Sequence, residues 1–156
     1  MGKKNDAAMY CCVTGSLDKK GSYEGYKRRM AIRAESRGYH ITHFYIDDCS
    51  SGTKPLHERT AFCQMLIDAK AGEIKQIVIL NVSSFSRNID ETIVVTRELK
   101  EYGVKVFAIL ENIVMDIDDN HQFAMIASLA QAESNKISER IERAITARKA
   151  KRYFAR

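Results

Sequence analysis

Residues 10–16 read YCCVTGS. They close an apolar run, Met9 to Val13, that halts at small and hydroxylic residues, as a buried strand of an α/β protein ends at the rim of its sheet. Outward from it, three more β-prone runs recur: Tyr39 to Ile46, Gln76 to Leu80 and Val104 to Leu110. Helical segments fill the intervals. Ser22 can cap a helix from about Tyr23 to Arg37 that stops at Gly38, a second spans Thr60 to Lys70 before Gly72, and a third spans Ile89 to Tyr102 before Gly103. This alternation predicts βαβ units: an α/β, three-layer domain with a mostly parallel sheet of four to five strands flanked by helices.

A chain of 156 residues fits one domain with a real core. No stretch approaches the ~20 apolar residues of a membrane span. Residues 1–8 are polar, include Lys3 and Lys4, and lack the apolar centre of a secretory signal, so a disordered N-terminus and a cytoplasmic protein are expected. The core is expected over 9–120, a long helix over 121–152 and a tail over 153–156. The four cysteines form no C-x-x-C pair, which favours reduced thiols and no metal site. The C-x5-R loop of cysteine phosphatases is absent, because Asp18 and Pro55 stand where Cys12 and Cys49 would need an arginine.

Charge is unevenly placed. Residues 136–156 hold eight basic residues against Glu139 and Glu142, a net +6, whereas the whole chain carries +5. Residues 1–135 are therefore close to neutral, and the basic end points to a polyanion, nucleic acid first. Arg140, Arg143, Arg148, Lys149, Lys151 and Arg152 are the expected DNA contacts. In the same segment Ile126, Leu129, Ala130, Ile137, Ile141, Ala144 and Ile145 recur at spacings of three, four and seven, so one apolar stripe runs along a helix too long to bury on a domain of this size. Its distal half is expected to meet another subunit.

Ligands of open parallel sheets bind beyond the carboxyl ends of the strands, which puts Thr14 to Ser16, Asp47 to Gly52 and Asn81 to Asn88 around one crevice. Neither phosphate-binding glycine motif occurs, so no nucleotide cofactor is expected. On residue type alone, YCCVTGS could be a nucleophile site, a metal site or neither.

The ordered pieces resemble the catalytic domain of serine site-specific recombinases: resolvases, invertases, and the large integrases of phages and transposons. The likeness covers about residues 9–150. YCCVTG and SYEGY stand for the family's Y-x-R-V-S-T and S-x-E-x-Q; DDCSSG and RTAF stand for D-x-x-x-S-G and R-P-x-F. SSFSRN stands for D-R-L-S-R-N, and AQAESNKISERI for A-Q-x-E-R-x-x-I-x-E-R. The resemblance implies DNA integration, excision or inversion by strand exchange on double-stranded DNA, through a 5′-phosphoserine link made without metal or other cofactor. It also implies a homo-oligomer, a dimer or a tetramer on DNA. Such chemistry needs an activated hydroxyl and several guanidinium groups, which stabilise the charge that spreads over a transferring phosphoryl group.

Several matched positions are altered. Thr14 occupies the nucleophile's place and Cys12 that of an arginine; Ser83 replaces an aspartate and Ser84 an arginine. Thr14 keeps a hydroxyl on a branched, stiffer side chain. Arg59 and Arg87 remain as phosphate-contacting candidates, and Ser51 and Gly52 keep the mobile-loop signature. Two functions from different classes are expected: a recombinase catalytic domain with weak or absent cleavage, or a noncatalytic module for dimerisation and DNA docking. An unrelated flavodoxin-like domain would require the ordered motifs to be coincidence.

Overall fold

The computed structural model describes residues 5–13, 22–48, 54–86, 88–115 and 120–154. Five strands, β1 (Asn5–Val13), β2 (Tyr39–Asp48), β3 (Gln76–Ile79), β4 (Lys105–Ala108) and β5 (Ile113–Val114), form one sheet in the order β2-β1-β3-β4-β5. The first four are parallel, and β5 adds antiparallel to β4. The helices are α1 (Ser22–Glu35), α2 (Thr60–Lys70), α3 (Ile89–Glu101) and α4 (Asn120–Phe154). Each helix-to-strand join turns on a glycine with positive φ, Gly38, Gly72 and Gly103, at 87°, 80° and 75°. A side chain there would be strained, so these residues stop the helices as anticipated.

Period two along β1 divides the core. Ala8 and Tyr10 face the side covered by α2 and α3, with Ile77, Ile79 and Val106 from neighbouring strands. Ala7, Met9 and Cys11 face the side of α1, with Met30, Ala34 and Val78. A central parallel strand is covered on both faces, which is why its sequence is a continuous apolar run rather than an alternating one. Residues 5–8 depart from the expected disordered start: β1 begins at Asn5, where Asn5 pairs with Tyr39, and Ala7 and Ala8 are buried. The polar Asn5 and Asp6 hid a strand start whose pairing partners lie over thirty residues away. Strand β5 was likewise too short to read.

At 35 residues, α4 extends roughly 52 Å. It packs against the 82–84 turn, and every residue from Ser138 to Lys151 is exposed. Thr14, Ser16, Ser51, Gly52 and Arg87 lie outside the described residues, as do the side chains of Ile126, Leu129, Ala130, Ile137 and Arg152.

Candidate active site

The strand order reverses between β1 and β3, so a crevice opens beyond their carboxyl ends. One wall is a buried polar network. Asp47, near the end of β2, accepts the backbone N–H groups of Ala61 and Phe62, both at 2.9 Å. These are among the four N–H groups that the first turn of α2 leaves without helical acceptors, and a carboxylate is favoured at that positive helix end. Tyr10, from the adjacent strand, donates its hydroxyl to Asp47 at 3.1 Å.

Arg59 completes the network. It is 7% exposed at the N-cap position of α2. Its Nη1 donates to the Phe85 carbonyl at 2.6 Å and to the Tyr10 hydroxyl at 3.3 Å, and its Nε donates to the Lys54 carbonyl at 3.0 Å. The guanidinium thus ties β1, the segment before α2 and the segment after β3 together. Burial pushes the Tyr10 phenol well above its ordinary range, with the Arg59 charge pulling against that rise. Apolar contacts set the same residues: the Tyr10 and Phe62 rings meet edge-on at 5.2 Å, and Phe62 and Phe85 at 5.9 Å.

The opposite wall is the turn after β3. Ser83 and Ser84 both donate their hydroxyls to the Asn81 side-chain oxygen, at 3.0 and 2.7 Å. The Ser84 hydroxyl accepts the Asn81 N–H at 3.3 Å. The two residues that resemblance placed at charged positions are neutral, and both turn their hydroxyls onto the Asn81 side chain. Glu111 reaches the turn from the β4–β5 connection, its Oε1 accepting the Val82 N–H at 3.3 Å. Ser86 is buried, donates to Glu91 at 2.6 Å and accepts the Asn88 N–H at 2.9 Å, while the Asn88 side chain caps α3 through the Asp90 N–H.

Cys12 sits one residue from the end of β1, half-buried against the Tyr10 side of the core, and is disulfide-bonded. This corrects the expectation of reduced thiols, since spacing along the chain says nothing about a bond between distant cysteines. Cys11 and Cys63 are free. Burial pushes the Cys11 thiol up to about 11, with a hydrogen bond from Tyr26 opposing the shift.

Of the expected site residues, Arg59, Cys12, Ser83 and Ser84 fall on the strand ends and segments that border the crevice. Arg140, Arg143, Arg148, Lys149 and Lys151 are exposed on α4 and belong to a separate surface. Sequence reasoning gave no role to Asp47, Tyr10, Asn81, Ser86 or Glu111. Asp47 did carry a signal, as the aspartate that opens the D-x-x-x-S-G motif in DDCSSG. The others have partners five or more residues away, or spend ordinary hydroxyls and amides on a local turn.

The fold agrees with solved recombinase domains. The N-terminal catalytic domain of TP901-1 integrase is 19% identical, with 84% of this chain and 98% of that chain covered and a TM-score of 0.60. A resolvase family site-specific recombinase from Streptococcus pneumoniae is 23% identical over 93% and 98% of the two chains, with a TM-score of 0.59. The C-terminal catalytic domain of ISC1926 TnpA, an IS607-like serine recombinase, is 18% identical over 85% and 99%, with a TM-score of 0.54. No curated protein sequence matches significantly. The profile of the family described as "Resolvase, N terminal domain" matches residues 7–153, and the chain belongs to that family.

Proposed function

We propose that this domain acts on duplex DNA within a homo-oligomer, in the manner of a site-specific recombinase, but with an active site too depleted for efficient strand cleavage. The observation that carries the reading is the Asn81–Ser84 turn, whose hydroxyls are spent on Asn81. No charge is left at Ser83 or Ser84 to meet a phosphate. Cys12, in its disulfide, adds none. Each missing charged donor costs two or more orders of magnitude in rate. Thr14 and Arg87 remain the candidate nucleophile and phosphate contact.

Association is assigned to α4. Ile141 and Ile145, 55% and 48% exposed and one turn apart, offer an apolar seam to a second copy. The cations Arg140, Arg143, Arg148, Lys149 and Lys151 offer contacts to the DNA backbone, with affinity that falls steeply with salt. The protein is placed in the cytoplasm, with DNA.

The deciding experiment incubates the protein with a relative's suicide recombination site at low salt and looks for a covalent adduct on a denaturing gel. The reading expects no adduct from the natural chain and an adduct from the combined variant Cys12→Arg, Thr14→Ser, Ser83→Asp, Ser84→Arg. An adduct from the natural chain that disappears in Thr14→Ala overturns it and makes the protein an active, threonine-using recombinase. Absence of cleavage even in the combined variant, together with salt-sensitive duplex binding, favours the second reading, a docking and dimerisation module.

A further inference from the structure

A second basic surface lies far from α4. Helix α1 exposes Arg28, Arg29 and Arg33 around Ile32, which is 58% exposed. Arg28 with Ile32, and Arg29 with Arg33, are four residues apart, so the four side chains form one patch. Met30 and Ala34, at 5% and 0%, fix the opposite side of the helix on the core and hold the patch outward. Glu24, near the start of the helix, pairs with Lys27. Net charge along the sequence concealed this patch, because acidic residues elsewhere in the first 135 cancel it.

The other face of the sheet carries its complement. Between α2 and α3 lies a groove of about 420 Å³ lined by the apolar Phe62, Leu66, Val94 and Val95 and by three carboxylates, Asp90, Glu91 and Glu98, with the His57 imidazole among them. Val94 is 60% exposed at its mouth. One surface is an apolar knob set among three cations, and the other is an apolar hollow set among three carboxylates. They occupy opposite faces of one sheet, so they cannot meet within a chain.

We propose that α1 of one copy docks into the α2–α3 groove of a second copy, Ile32 entering the hollow and Arg28, Arg29 and Arg33 facing Asp90, Glu91 and Glu98. The occupant is chosen by this match of charge and shape. The two contacting surfaces differ, so the contact is heterologous: each joined pair keeps one unused knob and one unused hollow, and repetition builds a row or a ring. It is independent of α4. Rim ion pairs make it salt-sensitive and govern its specificity more than its strength.

A complementation experiment in sedimentation velocity tests it. All proteins carry Ile141→Glu and Ile145→Glu to silence the α4 seam. In this background, association that grows with concentration and weakens with salt is expected. Ile32→Glu, which disables the knob, and Val94→Lys, which disables the hollow, each weaken it about tenfold or more, the factor equivalent to 1.4 kcal/mol. Both positions are exposed, and unchanged melting temperatures confirm that the variants fold. Mixed in equal amounts, the two variants regain association that stops at a pair, because one intact knob meets one intact hollow. A mixture that stays at the value of its separate components overturns the proposal, as does a background protein that never self-associates. So does an Ile32→Glu variant that loses affinity for duplex DNA while sedimenting unchanged, which makes α1 a nucleic-acid surface instead.

Discussion

The two walls of the crevice use polar residues in opposite ways. On the α2 side, charges persist but are buried: Asp47 and Arg59, 8% and 7% exposed, spend themselves on a helix N-terminus, two carbonyls and the hydroxyl between them. On the β3 side the polar groups are neutral, and serine hydroxyls close a turn. The contrast teaches that one set of polar groups is buried to join remote segments while the other is spent on a local turn. Arg59 holds three segments together through its bonds to Lys54, Tyr10 and Phe85. Where Ser83 and Ser84 stand, the turn closes on neutral hydroxyls.

Breaking that contrast starts with Asp47. Asp47→Ala strips two N–H groups of α2 and the Tyr10 hydroxyl, which also accepts from Arg59, of their acceptor. Removing one partner of a buried charged network costs about 3–5 kcal/mol, read from denaturant midpoints. A loss under about 1 kcal/mol contradicts the structural account of this wall. Arg59→Met follows, with an expected loss of about 2–4 kcal/mol from the Phe85 and Lys54 carbonyls left unpaired, against the near-neutral change of a surface arginine. Tyr10→Phe, which removes only the hydroxyl, should cost about 1–2 kcal/mol.

On the other wall the effects shrink. Asn81→Ala frees both serine hydroxyls at a half-buried turn and should cost about 1 kcal/mol, in the same denaturation assay. The smallest effect sharpens the picture of the core beneath both walls. The Cys11 thiol rises from its ordinary 9.0 to about 11 because burial disfavours its thiolate. The unfolded chain therefore ionises first as pH climbs: the contribution to stability is intact below about pH 9 and drains away as pH approaches 11. Iodoacetamide at neutral pH should label the half-exposed Cys63 and spare Cys11.

Much of this architecture was legible in the chain. Four apolar runs, three glycine stops and the start of α2 at Thr60 follow from local rules of period, capping and φ. What could not be read depends on partners remote in sequence. Asp47 gains its role from the backbone of Ala61, and Arg59 gains its role from the carbonyl of Phe85. Asn5 becomes a strand residue only because Tyr39 lies beside it. The strand ends and the segments after them were legible as a region, whereas the different use of polar groups by Asp47 and Arg59 and by the Asn81–Ser84 turn emerged only in three dimensions. The basic patch of α1 was missed for a plainer reason: a sum over 135 residues erases a surface made by four.

The place of β1 has a consequence for how the chain is made. β1 leaves the ribosome before both strands that flank it in the sheet, β2 on one edge and β3 on the other. Ala8 pairs with Ile77, which is synthesised 69 residues later, a delay of roughly 3–14 s at ordinary rates of translation. For that interval Ala7 to Cys11 is an apolar segment with one bare edge, of the kind that aggregates or recruits a chaperone. Codon changes that slow elongation between β2 and β3 should therefore lower the soluble yield of a protein whose finished form they leave untouched.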